Sequence, residues 1–211
     1  MGNNLKVSEV DLCIEAQVLS DPACITRYGK RHILEVLIGI KRQSGVIDEL
    51  YLNYTDELKV ILKKGDFISV TGDIRTINKQ GTIKVLKGIV FASSITKLDT
   101  EPENYKNNVV IKSAYIESID EVRKSFDDTN KDIAVYNVKV IRPHSRYSYF
   151  RSTSWGRDAV FIGNVMKPNM EVELKARLQT HKTATGKLFV CLAVYYIELL
   201  TKKEVTKEHH D

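Results

Sequence analysis

Apolar and polar residues alternate through much of the first hundred positions. Every second residue is apolar from Val10 to Val18 and again from Leu34 to Ile40. Because successive side chains of a strand point to opposite faces, this period predicts half-buried strands rather than helices. The strand pattern continues over Phe67–Ile74 and Ile83–Phe91, and the polar residues 78–81 between them predict a hairpin turn.

The spacing becomes helical between residues 51 and 67. Thr55 and Asp56 are residue types that cap the start of a helix, apolar residues follow at positions 58, 61 and 62, and Gly65 can end the helix. The first hundred residues therefore predict three strands, one short helix and two further strands.

The second half of the chain repeats this order. Thr100–Asn107 contains Pro102 and has no apolar stripe, so it predicts a linker. Beyond it, strand patterns cover residues 109–113, 134–141, 172–178 and 188–197, and a short helical pattern covers residues 157–166. We therefore predict one domain at 1–99, a linker at 100–107, a second domain at 108–203 and a flexible tail at 204–211.

The two halves are also similar in sequence. Moving the second half back by 104 residues superposes Lys167–Thr180 on Lys63–Thr76 with the apolar positions in register. The same offset places Trp155 on Tyr51. A repeat of this length indicates a duplicated domain rather than a solenoid.

Five strands with a helix between the third and the fourth is the order of the oligonucleotide-binding (OB) fold. Residues 9–42 resemble the opening of bacterial and phage single-stranded DNA-binding proteins, in which a strand runs into an Asp-Pro turn (Asp21, Pro22), an Arg-Tyr-Gly segment (Arg27, Tyr28, Gly29) and a long second strand. Residues 155–190 resemble the next portion of that family, with an aromatic-Gly-basic helix start and a Leu-x-Thr before the last hairpin.

The resemblance implies a mostly β protein made of two tandem OB folds. Each would be a five-stranded Greek-key barrel with a short helix between strands 3 and 4. It also implies binding of single-stranded DNA without sequence specificity, to protect the strand during replication, repair or DNA transfer.

The resemblance carries expectations about partners as well. The family usually gathers four single-barrel chains, so we expect a homodimer that presents four OB folds. The first strands of the halves, Val10–Val18 and Val109–Ile116, would leave open edges, so we expect them to pair inside the chain or with another copy. The last eleven residues, TKKEVTKEHHD, lack the acidic, apolar-tipped tail by which the family recruits repair proteins.

Charge adds a bias toward anionic partners. The formal net charge is +5 and the sequence pI is about 8.9. Residues 142–187 carry nine basic and three acidic residues, whereas residues 1–100 carry fourteen basic and twelve acidic ones. We therefore expect the second domain to bind nucleic acid more strongly than the first.

Other chemistries find little support. Cys13, Cys24 and Cys191 form neither an even set nor a CxxC pair, and His209 and His210 lack a third ligand, so we predict no disulfide, metal or cofactor. No phosphate loop, HExxH or GxSxG motif occurs, so we expect no enzymatic activity. No signal-peptide pattern occurs, and the longest apolar run, residues 188–197, is too short to span a bilayer, which predicts a cytoplasmic protein.

Single-stranded DNA offers phosphates and unstacked bases, so a sequence-tolerant binder needs cations interleaved with aromatic rings. The segment RPHSRYSYFRSTSW, residues 142–155, supplies both. The second-half candidates are Arg142, Arg146, Tyr147, Tyr149, Phe150, Arg151, Trp155, Arg177, His181, Lys182 and Lys187.

Trp155 and Tyr149 fall, by the resemblance, where the family carries base-stacking rings on its third strand, with the basic Arg151 between them. A lone tryptophan also fits a core position, but the neighbours of Trp155 are polar. Tyr149 and Phe150 point to opposite faces of any strand, so one of the two is expected in the core.

The first-half candidates form a sparser set. Scattered basic residues are often only a solvated face, and we expect weaker binding here. The candidates are Arg27, Arg31, Lys41, Arg42, Tyr51, Tyr54, Arg75 and Lys79.

Two alternatives stay open. OB folds also serve as docking domains, so the chain could be a replication or primosome accessory, or a protein-docking scaffold, with weak nucleic-acid binding. Stacking does not sense the 2′-hydroxyl, so the sequence leaves RNA open as a partner.

Overall fold

Eleven strands and one α-helix build the part of the chain that the computed structural model describes, which is residues 6–28, 31–78, 86–125, 130–182, 186 and 188–200. The first half contains β1 (Glu9–Val18), β2 (Ala23–Tyr28), β3 (Arg31–Lys41), β4 (Ile47–Thr55), β5 (Phe67–Asn78) and β6 (Leu86–Leu98). The second half contains β7 (Asn107–Lys124), β8 (Asp132–Arg142), β9 (Arg146–Trp155), α1 (Arg157–Val165), β10 (Glu171–Lys182) and β11 (Leu188–Leu199). The predicted tail at 204–211 lies outside the described residues, as do residues 79–81 of the first hairpin turn.

Each half closes into a five-stranded barrel. In the first barrel the strands pair in the order β1, β3, β4, β6, β5 and back to β1. In the second barrel the order is β7, β8, β9, β11, β10 and back to β7. The pairs β4–β6 and β9–β11 are parallel and the others antiparallel. This is the Greek-key OB barrel that the sequence predicts, with β2 added as a short hairpin on β3.

The alternating apolar residues of the sequence fill the barrels. Leu12, Ile14, Ala16 and Val18 of β1 are all buried. Because each strand of a closed barrel has one face inside and one outside, the period-two pattern fixes which side chains pack in the core. The same rule decides which side chains are available to a partner.

The predicted helix of the first half is reduced to a single 3-10 turn. It covers Asp56–Leu58 and ends at Lys59, which has a left-handed φ of 52°. Leu62 is buried but Ile61 is largely exposed, so the segment has too few apolar contacts to hold a regular helix. In the second half α1 forms as predicted and buries Ala159 and Ile162.

The difference between the two helices corrects the predicted alignment of the halves. Eleven residues separate β4 from β5, whereas fifteen separate β9 from β10. The offset of 104 residues therefore holds for β5 and β10 but not for β4 and β9. Tyr51 pairs with Ile89 in the first barrel as Arg151 pairs with Cys191 in the second. The structural equivalent of Tyr51 is thus Arg151, not Trp155.

The two barrels join through an isologous arrangement, in which equivalent residues meet. Strands β1 and β7 pair antiparallel, as expected for the two first strands, with Leu12 opposite Val109. A Cβ atom added at Gly88 of β6 would lie 2.6 Å from Val190 of β11, so the two strands approach closely. The edges that the sequence leaves open are therefore closed inside the chain.

A pair of threonines repeats this reciprocity. The Glu49 N–H donates to Thr180 Oγ1 at 3.1 Å, and the Tyr149 N–H donates to Thr76 Oγ1 at 3.0 Å. Each threonine lies on the fourth barrel strand of its half and binds the third barrel strand of the other.

None of the described helices is long and apolar enough to cross a membrane.

Candidate nucleic-acid interface

Strand β9 separates its side chains cleanly between core and surface. Ser148, Phe150, Ser152 and Ser154 point into the barrel and are buried. The outward side chains include Tyr147, Tyr149, Arg151 and Trp155. Tyr147 is 45% exposed and Trp155 is 41% exposed, and the rings of Tyr147 and Tyr149 lie 6.5 Å apart. A row of rings with one guanidinium thus runs along the outside of the second barrel.

Strands β10 and β11 extend this surface beyond β9. Ala193 of β11 pairs with Thr153 of β9, so Tyr195 lies further along β11 in the direction of Trp155. A bulge at this point leaves Tyr195 51% exposed and Tyr196 38% exposed.

Two cations cover these tyrosine rings. Lys175 Nζ is 4.9 Å from the centroid of Tyr196, and the Arg177 guanidinium is 5.9 Å from that of Tyr195. Sequence reasoning missed Lys175, Tyr195 and Tyr196, although two adjacent tyrosines in an otherwise apolar strand are an unusual signal. We call the combined surface the platform; its members are Tyr147, Tyr149, Arg151, Trp155, Lys175, Arg177, Tyr195 and Tyr196.

The cations of the platform are available to an outside anion. Among the residues that the structure describes, Arg151, Lys175 and Arg177 have no carboxylate within ion-pair distance. Cys191 is the strand neighbour of Arg151, and burial raises the pKa of its thiol to about 11. The thiol is therefore neutral at pH 7 and leaves the charge of Arg151 uncompensated.

Carboxylates border the platform on its other side. Lys139 of β8, which lies opposite Tyr149, forms an ion pair with Glu117 at 3.0 Å. Asn137, which lies opposite Arg151, donates its amide to Asp120 at 2.9 Å. Glu173 and Glu198 add carboxylates at one end of β10 and β11, where the Tyr196 hydroxyl donates to Glu198. A polyanion is thus favoured over Arg151, Lys175 and Arg177 and disfavoured over β8, β7 and that end of β10 and β11.

Two predicted stacking residues belong to the core instead. Phe150 is 1% exposed and Tyr54 is 3% exposed. Both lie at inward positions of their strands, so neither ring can meet a base while the barrel is closed. We therefore remove Phe150 and Tyr54 from the candidate interface.

Arg142 has a structural position as well. Its side chain is 11% exposed, and Nη1 lies 2.7 Å from both carboxylate oxygens of Asp73 in the first barrel. Nη2 donates to the carbonyl of Ile74. Burial lowers the pKa of Arg142, and the Asp73 carboxylate opposes that shift. Arg142 therefore ties the barrels together rather than facing solvent.

Most other predicted cations are already paired. The pairs are Arg31 with Glu57, Lys41 with Glu101, Arg42 with Asp48, Arg75 with Asp73 and Lys182 with Glu49. Arg27 and Arg146 are exposed and have no ion pair within the described part of the chain. His181 stacks on Phe189 with ring centroids 5.4 Å apart. Lys79 and Lys187 lie outside the described residues.

The first barrel lacks the platform at the equivalent positions. Tyr51 is its counterpart of Arg151, and Lys87 Nζ lies 3.5 Å from the centroid of the Tyr51 ring while Glu35 holds that ammonium at 2.8 Å. The other platform positions carry neither a ring nor a cation. They are Ile47 for Tyr147, Glu49 for Tyr149, Thr55 for Trp155, Thr71 for Lys175, Asp73 for Arg177, and Ser93 and Ser94 for Tyr195 and Tyr196.

No cluster of three or more His, Cys, Asp or Glu side chains within the described segments could hold a metal ion. The platform is an open sheet surface of rings and cations, which can bind and orient a ligand. Its members supply no pair of acid and base in contact.

The fold, but not the sequence, is similar to known proteins. No protein-family model and no curated protein sequence matches the chain. The wild-type single-stranded DNA binding protein from Thermus aquaticus superposes with a TM-score of 0.72 at 15% identity, over 93% of this chain and 95% of that one. A deletion mutant of that protein superposes with the same TM-score at 13% identity, over 96% and 99% of the two chains. The likeness shows that the two-barrel fold is shared over its whole length.

Proposed function

We propose that the protein binds single-stranded DNA without sequence specificity, through the platform of its second barrel. The observation that carries the proposal is the platform itself, in which exposed rings lie among cations that form no ion pair within the described part of the chain. Bases of any kind stack on rings, each worth roughly 1 to 3 kcal/mol, and the cations contact phosphates that carry no sequence information. The fold that the chain shares with the Thermus aquaticus protein supports the same function.

A binder of this kind protects a strand and holds it open, which suits replication, repair or DNA transfer. It carries out no chemical step. The first barrel, whose equivalent face carries paired charges and one ring that Lys87 covers, holds the second in place. Stacking does not sense the 2′-hydroxyl, so we expect single-stranded RNA to bind measurably as well.

An oligonucleotide titration tests the proposal. We expect quenching of Trp155 fluorescence by oligo-dT and much weaker binding of a duplex of the same length, because bases in a duplex cannot reach the rings. Three platform cations predict a slope of about −2 for log K against log salt concentration. Trp155 is the only tryptophan of the chain, so the signal has one source. Equal affinity for duplex and single strands would contradict the proposal.

A protein-docking scaffold is the second candidate. Val46 and Ile47, at the β3–β4 turn of the first barrel, are both about half exposed. Adjacent apolar side chains at a loop tip are a feature of protein contacts. In that case the oligonucleotide titration would show weak binding with no change in Trp155 fluorescence.

A homodimer with four barrels is part of the proposal, although one of the two arguments for it no longer applies. The pairing of β1 with β7 removes the open edges that would have demanded a second copy. The remaining ground is the resemblance to proteins that gather four barrels. Light scattering at micromolar concentration distinguishes the 24.0 kDa monomer from a particle of twice that mass.

A further inference from the structure

An asparagine of β8 borders the platform. Asn137 lies directly opposite Arg151 of β9, and opposite residues of paired strands point to the same face of a sheet. Asn137 is half-buried and is neither a ring nor a cation. What it offers to a strand on the platform depends on which end of its amide is free.

The amide nitrogen of Asn137 is fully engaged. Nδ2 lies 2.9 Å from Ser118 Oγ, and 3.0 Å and 2.9 Å from the two carboxylate oxygens of Asp120. The Ser118 hydroxyl donates in turn to Asp120 Oδ1 at 2.8 Å. Because a carboxylate only accepts hydrogen bonds, the amide of Asn137 is fixed with its nitrogen toward β7. Both amide hydrogens are therefore used on that side.

The amide oxygen of Asn137 is left as a free acceptor. In a planar amide the oxygen lies on the other side of Cγ from the nitrogen, so Oδ1 faces away from β7, on the side of β9. No side-chain hydrogen bond within the described part of the chain engages Oδ1. The Asp120 carboxylate thus presents one oriented acceptor at the border of the platform.

The cations of the platform decide which part of a nucleotide meets this acceptor. The strands lie in the order β8, β9, β11 and β10, and the side chains of Lys175 and Arg177 extend from β10 over the tyrosines of β11. A phosphate on these cations lies two strand spacings from β8, about 10 Å. Its base then crosses the rings of β9 with its outer edge toward Asn137. In a single strand this Watson–Crick edge is unpaired.

We infer that Asn137 Oδ1 accepts a hydrogen bond from the amino group of a base on the platform, and that Asp120 positions Asn137 for this contact. The 4-amino group of cytosine is a donor, whereas thymine has an acceptor at the same position. The oriented oxygen therefore attracts the first and repels the second. The inference rests on the proposed function. It adds a preference of a few fold at one position to binding that otherwise tolerates any sequence.

The test removes the amino group and nothing else. Oligo-dC of about 8 nucleotides is compared with the same oligomer of 2-pyrimidinone, which is cytosine with hydrogen in place of the 4-amino group. We expect the unaltered protein to bind oligo-dC roughly fivefold more tightly, the effect of one hydrogen bond between neutral groups. In Asn137→Leu, which has similar size but no acceptor, the two affinities should agree within twofold. Titrations at neutral pH measure the ratio of affinities.

Two substitutions test the role of Asp120 as a positioning residue. Asp120→Ala frees the amide of Asn137 to turn, so the fivefold preference should fall to about twofold or less. Asp120→Glu keeps a carboxylate that can hold the nitrogen, so most of the preference should return. Loss of negative charge at position 120 strengthens binding of both oligomers alike and cancels in the ratio.

Asp99→Ala is the matched control for Asp120→Ala. It makes the same charge change at an exposed residue directly after β6. We expect it to keep the fivefold preference. A variant that is partly unfolded also loses affinity for both oligomers equally, so a fall in the ratio reports the contact and not the stability.

The outcomes separate this inference from the function on which it rests. If both oligomers bind and removal of the amino group has the same effect in the unaltered protein and in Asn137→Leu, the inference is wrong and the proposed function stands. If Asn137→Leu loses the preference but Asp120→Ala keeps it, Asp120 does not position the amide. If neither oligomer binds, the proposed function itself fails.

Discussion

Replacing Asp73 with alanine is expected to lower the free energy of unfolding by about 3 kcal/mol, because it leaves the buried Arg142 guanidinium without its carboxylate. Both Asp73 oxygens lie 2.7 Å from Arg142 Nη1, and the Arg142 Nε is buried with no partner within the described residues even when the pair is intact. The loss would act on the contact between β5 and β8, which joins the barrels. Urea denaturation at neutral pH measures it.

A surface ion pair provides the control for Asp73→Ala. Arg31 and Glu57 lie 2.7 Å apart with side chains more than half exposed, so Glu57→Ala should cost less than about 1 kcal/mol. The double variant Asp73→Leu with Arg142→Met should recover most of the lost stability, because it removes both charges. If Asp73→Ala is as stable as Glu57→Ala, the Arg142 guanidinium is solvated in the intact protein, and its proposed role in joining the barrels is wrong.

The barrels were predictable from the sequence because the pattern that specifies each strand is local. Alternation of apolar residues, as at Leu12, Ile14 and Ala16, sets which face of a strand is buried whatever its neighbours are. Strand order followed from the resemblance to the OB fold. The need to cover open edges predicted that the two first strands pair inside the chain or with another copy, and the structure shows the pairing inside the chain. These predictions are confirmed.

The candidate site was harder to predict, because whether a cation or a ring is available to DNA depends on partners that are distant in the sequence. Arg142 and Asp73 are 69 residues apart, and no local pattern shows that a cation of the aromatic segment is already neutralised. The period of two places Tyr149 and Phe150 on opposite faces, but it does not say which face is inside. The barrel decides that, and it buries Phe150.

The sequence alignment of the two halves also gave one wrong equivalence, that of Trp155 with Tyr51. A single offset treats the repeat as rigid, whereas α1 adds four residues to one half only. Correcting the offset moves Trp155 from the position of Tyr51 to that of Thr55. It also shows that the two copies differ on this face. The second copy carries several rings and, within the described residues, unpaired cations, whereas the equivalents on the first copy are aliphatic, small, acidic or paired.

This inequality makes a double substitution on the platform the sharpest test of binding. Tyr149→Ala with Trp155→Ala should cost roughly 2 to 6 kcal/mol of binding to oligo-dT, which is at least about a thirtyfold loss of affinity. The two residues are six positions apart on one strand, about 20 Å, so their effects should nearly add. Anisotropy of a labelled oligonucleotide measures the affinity, because the variant has no tryptophan signal.

Tyr51→Ala is the matched control for that pair, since the ammonium of Lys87 that covers the Tyr51 ring is already paired with Glu35 and offers no charge to a phosphate. We expect its affinity to stay within about twofold of the unaltered protein. A loss equal to that of a single platform substitution would mean that the first barrel also stacks bases. Exposed rings on a strand surface contribute little to stability, so we expect the melting temperature of the double variant to change little. A large drop in melting temperature, with unchanged affinity in the folded fraction, would instead mean that Tyr149 and Trp155 serve in packing.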